Sequence, residues 1–414
     1  MEIVLIRHGE STANVETRWQ GQGNSPLTDE GRRQAAALAR RLESDPFDLV
    51  VASDLDRAAD TARALGLDVE TDAAWREIDL GRWEGKTFEE VEREAGDLLL
   101  ALRAGEQVRF GGSGETLAEF EERVADAFDR LAERVGEGRV AVVTHGGVID
   151  ALVGRRLGRP SGRRGYPIVE NTALTWFVGE PGALRLRRFN DATHLGRETR
   201  WLASMRRDGH PVVAFVRHGV TAANKEQRIQ GQSGAGLDAE GREQARRLAE
   251  WYRPVDRVWT SPLDRAVDTA VALADGRPPE AHPLLVEMGF GEWEGMLYRD
   301  VLASDDPWAH RIYRDGEDLP RGRTGESFGE VVERMRRFLE TFEPDPSERT
   351  VVVSHGAAIR AVVAAITGRG PEINRGLATS DNTGITHVAF TPEGPMLADY
   401  SLAPHLGSVV SLDR

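Results

Sequence analysis

Two histidines 137 positions apart, His8 and His145, recur as His218 and His355 after an offset of 210. Glycine follows each of them and arginine precedes the first of each pair, giving Arg7-His8-Gly9 and Arg217-His218-Gly219, then His145-Gly146 and His355-Gly356. Two imidazoles and an arginine brought together form a cationic cup. A further arginine enters through Ser53-Asp54-Leu55-Asp56-Arg57-Ala58 and Ser261-Pro262-Leu263-Asp264-Arg265-Ala266. Guanidinium groups match phosphate oxygens with paired, charge-assisted hydrogen bonds, so the natural guest is a phosphoryl group. The same cations disfavour a charged imidazole, which keeps His8 neutral and able to attack. Transfer of a phosphoryl group from an alcohol also needs a proton for the departing oxygen, and a carboxylic acid is the usual donor. Glu77 and Glu287 are the candidates, but Glu84 and Glu294 stand in both copies too. Spacing alone does not choose the acid.

These residues must be carried by elements that repeat as well. The 210-residue offset also relates Asn14 to Asn224 and Gln20-Gly21 to Gln230-Gly231. Apolar strands are expected at Ile3 to Ile6, Leu49 to Ala52 and Val140 to Thr144, then at Val212 to Val216, Arg257 to Thr260 and Thr350 to Val353. The histidines lie just beyond strand ends, and open α/β sheets bind ligands outside the carboxyl ends of their strands. A helix opened by Thr28 or Asp29 presents Ala35, Leu38, Ala39 and Leu42 at the spacing of one buried face, and Ala245, Leu248, Ala249 and Tyr252 repeat it. Strands alternating with helical patterns predict two tandem three-layer α/β/α domains, each with a mostly parallel central sheet flanked by helices. The boundaries expected are 1–195 for the first domain, 196–211 for a polar connector and 212–414 for the second.

The 414 residues exceed one ordinary core, and a period of 210 is that of a whole domain rather than a solenoid repeat. Cysteine is absent, which removes disulfides, thiolate metal sites and cysteine nucleophiles. The net charge of −15 argues against nucleic-acid and acidic-membrane partners. Lys86 and Lys225 are the two lysines among 53 basic residues, a bias read as a GC-rich genome rather than selection for phosphate binding. With neither a signal peptide nor a membrane span legible, a cytoplasmic location is expected. Oligomeric state has no signature.

The ordered set of Arg-His-Gly, Ser-x-Leu-x-Arg-Ala, the glutamate segment and His-Gly, present twice over nearly the whole chain, resembles the histidine phosphatase superfamily, also called the phosphoglycerate mutase-like family. That resemblance implies that His8 and His218 become phosphorylated, with Glu77 and Glu287 as proton donors. Arg7, Arg57 and His145, with Arg217, Arg265 and His355, would bind the phosphoryl group. Asn14, Gln20 and Gly21, with Asn224, Gln230 and Gly231, would line the pocket, and no metal or other cofactor is implied. Asp54 departs from the family's usual proline, and Gly236 and Asp238 stand where the first copy has Pro26 and Thr28. These changes bear on loop rigidity rather than chemistry.

Other features carry plainer readings. Trp83 and Trp293 are expected to pack beneath the glutamate loop, and His194 and His405 to be structural. Asp54-Leu55-Asp56 imitates the aspartate pair of another phosphatase class, but the second copy has Pro262 in place of the first aspartate. Gly111-Gly112-Ser113-Gly114 lacks the lysine of a P-loop. The glutamate and the second histidine are 68 positions apart in both halves, which leaves a short lid and favours hydrolysis over mutase-type transfer. The lid contents differ: Leu98 to Gly114 carries Arg103 and Arg109, whereas Ala303 to Gly325 carries Asp305, Asp306, Trp308, His310, Arg311, Tyr313, Arg321 and Arg323. Different substrate preferences are therefore expected for the two sites. The function read from the sequence is a metal-independent phosphomonoesterase for small phosphorylated metabolites with two active sites. The alternatives are phosphoglycerate mutase-type transfer, and one catalytic domain joined to a phospho-ligand-binding regulatory domain.

Overall fold

The computed structural model describes residues 1–158 and 165–407. It divides into two compact units, one running from Met1 to Arg156 and resuming at Ile168–Thr199, the other holding Arg200 onward. Each is an α/β domain with a six-stranded mixed sheet flanked by helices.

In the first unit the strands are β1 (Glu2–Arg7), β2 (Leu49–Ala52), β3 (Val69–Thr71), β4 (Arg139–Thr144), β5 (Leu174–Val178) and β6 (Arg185–Asp191), in the sheet order β3-β2-β4-β1-β5-β6. The second unit repeats this with β7 (Val212–Arg217), β8 (Arg257–Thr260), β9 (Glu280–Ala281), β10 (Thr350–Ser354), β11 (Ile385–Thr391) and β12 (Gly394–Leu397). β1, β2, β3 and β4 are parallel, while β5 runs antiparallel to β1 and β6 antiparallel to β5. Parallel strands buried on both faces read as continuous apolar runs, and Ile3 to Ile6 and Val140 to Val143 are fully buried.

Register sets the site. Arg7 pairs with Thr144 at the ends of β1 and β4, and Arg217 with Ser354 at the ends of β7 and β10. His8 and His145, one residue further on, therefore emerge side by side from the sheet's carboxyl edge, as do His218 and His355. The helix Asp29–Leu42, capped by the Thr28 side chain, buries Ala35, Leu38 and Leu42. Its counterpart Ala239–Tyr252, capped by Asp238, buries Ala245, Leu248, Ala249 and Tyr252.

Of the expected connector 196–211, Arg200–Arg207 is a helix that places Leu202, Trp201 and Met205 against Val212, Ala389 and Ala398 of the second unit. It is part of that unit's packing. No helix among the described residues is long and apolar enough to cross a membrane.

Candidate active site

The first strand of each domain ends in a histidine whose tautomer the backbone fixes. His8 Nδ1 lies 2.7 Å from the carbonyl oxygen of Gly9, and His218 Nδ1 2.7 Å from that of Gly219. A carbonyl can only accept, so Nδ1 carries the proton and Nε2 keeps its lone pair. Burial, then Arg57 and Arg7, hold the pKa of His8 well below its ordinary 6.5. His218 is held down in the same way by burial, Arg217 and Arg265.

The segment behind His8 and His218 is strained. Thr172 and Thr383 sit at φ 59° and 57°, a conformation that β-branched residues rarely adopt. The Thr172 N–H donates to Arg7 O at 3.0 Å, and Asn171 Nδ2 donates to His8 O at 2.9 Å. Asn382 and Thr383 make the same bonds to His218 O and Arg217 O. His194 Nε2 meets the Thr172 hydroxyl at 2.9 Å and His405 Nε2 meets that of Thr383 at 2.8 Å, so both histidines hold this strained loop.

The second histidine faces the first. Ring centroids are 5.2 Å apart for His8 and His145 and 5.1 Å for His218 and His355. His145 Nε2 is engaged by the Ser53 hydroxyl at 2.9 Å and His355 Nε2 by Ser261 at 2.8 Å, while both Nδ1 atoms are buried without a partner among the described residues. A buried polar atom left open beside a nucleophile is a place for a ligand oxygen.

The arginines complete the cup. Arg57 is fully buried and spends two donors on Gly21 O and Gly23 O, both at 2.8 Å; Arg265 does the same with Gly231 O and Ser233 O. The Nε of each is buried without a partner among the described residues. Burial lowers the pKa of Arg57 to about 10, so it stays cationic at neutral pH. Arg7 Nη1 donates to Val169 O and Arg217 Nη1 to Ser380 O, each at 2.6 Å. Ser11 turns the carbonyl oxygens of Asn14 and Gln20 toward its hydroxyl at 3.1 Å, which presents their amide NH2 groups elsewhere; Thr221 does so for Asn224 and Gln230.

The two glutamates that recur in each copy separate in space. Glu77 Oε2 accepts the Gly147 N–H at 2.9 Å, two residues past His145, and its Oε1 accepts Ile78 N–H. Glu287 takes the same place against Ala357 N at 3.2 and 3.3 Å, the longer contacts matching alanine in place of glycine. Glu84 instead accepts Gln22 N–H at 2.6 Å, and Glu294 accepts Gln232 N–H at 3.0 Å. They hold the loops at Gly21 and Gly231, where φ is 52° and 57° and a side chain would collide with the carboxylate. Trp83 and Trp293 are buried under this loop in the apolar clusters of the lids.

Sequence reading missed the brace behind the candidate acid. Arg123 donates to Ala74 O, Arg76 O and Glu77 O and pairs with Glu115 at 2.7 Å, and Glu115 accepts Asp79 N–H. Arg334 and Glu326 do the same around Leu284, Val286, Glu287 and Gly289. A signal was there: Glu115 and Arg123 recur as Glu326 and Arg334, but at an offset of 211. Asn171, Thr172, Ser11 and Thr221 were missed as well; the first two recur at that same shifted offset.

The chain belongs to the histidine phosphatase superfamily (branch 1), whose sequence profile matches residues 3–192 and again 213–402. It is 33% identical over 210 residues to phosphoglycerate mutase-like protein 4 of Arabidopsis thaliana, covering 49% of this chain and 90% of that protein. Among solved structures, it is similar to a mycobacterial glucosyl-3-phosphoglycerate phosphatase (33% identity, TM-score 0.40, 45% of this chain and 96% of that one). It is also similar to a phosphoserine phosphatase variant from Entamoeba histolytica (26% identity, TM-score 0.43, 47% and 98%).

The buried neutral histidines make stability depend on acid. Burial and nearby cations lower the pKa of His8, His145, His218 and His355 well below 6.5, and burial takes His194 down to about 4. Below pH 6.5 the unfolded chain binds protons that the folded chain refuses, so stability is complete above 6.5 and is lost as pH falls. Three such groups stand in the first domain and two in the second, so Tm should fall between pH 7.5 and 5.5 and the first domain should be the more acid-sensitive. Thermal melts across that range check this, and a Tm independent of pH contradicts it.

Proposed function

We propose that each domain is a metal-independent phosphomonoesterase for small phosphorylated metabolites, working through a phosphohistidine on His8 or His218. The observation that carries this reading is the Nε2 lone pair of His8, freed by the Nδ1–H bond to Gly9 O and enclosed by Arg7, Arg57 and His145. Nε2 attacks phosphorus and the bond from phosphorus to the ester oxygen breaks. Arg7, Arg57 and the open Nδ1 of His145 meet the charge on the phosphoryl oxygens. Glu77 gives its proton to the leaving alcohol, then takes one from the water that attacks the phosphohistidine, releasing inorganic phosphate and restoring both groups. Glu84, bound into the Gln22 loop, is assigned to holding that loop, and Glu77 to proton transfer.

Mutase-type transfer is the second reading, favoured by the likeness to a phosphoglycerate mutase-like protein. The 68-residue interval from Glu77 to His145 weighs against it, because a short lid shelters the intermediate less from water. A purely sensory second domain would have no use for Glu287, which sits against the helix start as Glu77 does.

Turnover of a mixed panel of phosphomonoesters without added metal, quenched in base and followed by peptide mass spectrometry, should find phosphate on both His8 and His218, with phosphate release outpacing isomerisation of 3-phosphoglycerate. Faster isomerisation makes the chain a mutase, and absence of a phosphopeptide points to direct attack by water.

A further inference from the structure

The two lids share a backbone frame but differ in the charge they bring to it. Phe110 N and O bond to Glu115 O and Gly114 N; Arg321 N and O bond to Glu326 O and Gly325 N. Arg321 therefore occupies the place of Phe110. On the helices that follow the second histidines, Ile149 N bonds to His145 O and Ile359 N to His355 O, so the next residues, Asp150 and Arg360, are also counterparts. An aromatic ring and an acid in the first domain correspond to two guanidiniums in the second.

Neither guanidinium is held by a close carboxylate. Arg321 is 7% exposed, donates to Leu319 O at 2.5 Å and lies 3.9 Å from Asp318. Arg360 makes no hydrogen bond or ion pair among the described residues; its Nε is buried, and its one ring contact is Phe328 at 5.7 Å. A guanidinium without a close carboxylate keeps donors open for an arriving anion. One short chain of contacts joins the two: Arg321 Nη1 lies 3.9 Å from Asp318, whose carboxylate accepts the Phe328 N–H at 2.9 Å, and the Phe328 ring lies 5.7 Å from the Arg360 guanidinium. Arg360 lies one helical turn beyond Gly356 on the helix that starts at the second histidine.

Of the other cations of this lid, Arg314 is exposed and the rest are committed elsewhere. Arg311 pairs with Glu317, Arg323 with Asp306, and His310 bonds to Ser304 O. In the first lid, Arg109 pairs with Glu119 at the surface, and the Arg103 side chain lies outside the described residues.

We infer that Arg321 and Arg360 form a second anion subsite in the second domain, selecting phosphomonoesters whose alcohol portion carries a carboxylate or a second phosphate. This rests on the phosphatase reading of that domain and names its substrate class. The anion would bridge the two guanidiniums while the ester phosphate lies against His218.

The test uses the full chain with His8→Ala, so that only the second site turns over, and compares 3-phosphoglycerate with phenyl phosphate. In that background Arg321→Gln and Arg360→Gln should each lower kcat/KM for 3-phosphoglycerate by about 10–100-fold more than for phenyl phosphate, mainly through KM. Arg321→Lys, which keeps the charge in the packed position, should recover part of the preference. Equal losses on the two esters overturn the subsite and leave the phosphatase reading standing. Failure of the His8→Ala chain to hydrolyse either ester overturns the reading of the second domain and the subsite with it.

Discussion

Replacing His8 and His218 together by alanine should lower phosphate release from every phosphomonoester by at least about 10⁴-fold, while either replacement alone removes only part of a substrate panel. The size of the double loss follows from the fixed tautomer. On the phosphohistidine reading Nε2 of each histidine is the attacking atom, and the Nε2 of His145 and His355, held by Ser53 and Ser261, does not replace it. The division of the panel follows from the lids. In the first domain the helical segment Phe88–Arg103, kinked at Ala95 where φ is −147° and ψ 37°, packs Val91 and Leu99 against Leu80 and Trp83. In the second, Asp306 caps and Pro307 opens a new helix, so that the lid is split into Tyr298–Ala303 and Pro307–Tyr313 and turns Tyr313 onto Trp293. Leaving groups that suit an apolar cover should depend on His8, and those carrying a second charge on His218. Full panel activity in the double variant would remove both histidines from the chemistry. Identical losses in the two single variants would remove the division of specificity.

What could be read from the sequence was what repeats at constant offset and what is apolar. Strands β1, β2, β4, β7 and β10 were legible because they lie in the parallel core, where both faces are buried and hydrophobic residues run together, and β8, with Arg257 and Trp259 half-buried, because it repeats β2. β6 was not, since Arg185, Arg187, Arg188 and Asp191 break its apolar run; the fold absorbs Arg188 and Asp191 as a buried pair 3.4 Å apart. The strained Thr172 was invisible for a related reason: nothing in a threonine announces a left-handed backbone that only the surrounding bonds to Arg7 and His8 impose. The cup itself was legible because it is built at strand ends that the apolar pattern locates. The brace of Arg123 and Glu115 was hidden by a one-residue shift of the offset and by lying on elements that charge patterning alone assigns to solvent. Choosing between Glu77 and Glu84 needed the partners of each carboxylate, which no spacing contains.

That choice gives the second large effect. Glu77→Gln should lower kcat at the first site by about 10²–10⁴-fold for esters of ordinary alcohols, with KM little changed, and much less for p-nitrophenyl phosphate. An alkoxide departing from phosphorus needs a proton in the transition state, whereas p-nitrophenolate is stable enough to leave without one. Glutamine keeps the size of the side chain and can still accept the Gly147 N–H through its carbonyl oxygen, so the geometry seen at 2.9 Å survives while the transferable proton is lost. Glu84→Gln is the control of opposite signature. Its carboxylate fixes the Gln22 backbone and stands against Gly21, whose carbonyl anchors Arg57, so this variant should loosen the phosphoryl cup and raise KM for all esters alike. The measurement is a plot of log kcat against leaving-group pKa in the His218→Ala background. For Glu77→Gln the slope should steepen toward weaker acids, and for Glu84→Gln it should keep the wild-type value. If the two slopes are interchanged, Glu84 is the acid. If neither changes, proton transfer to the leaving group belongs to a residue outside the glutamate segment.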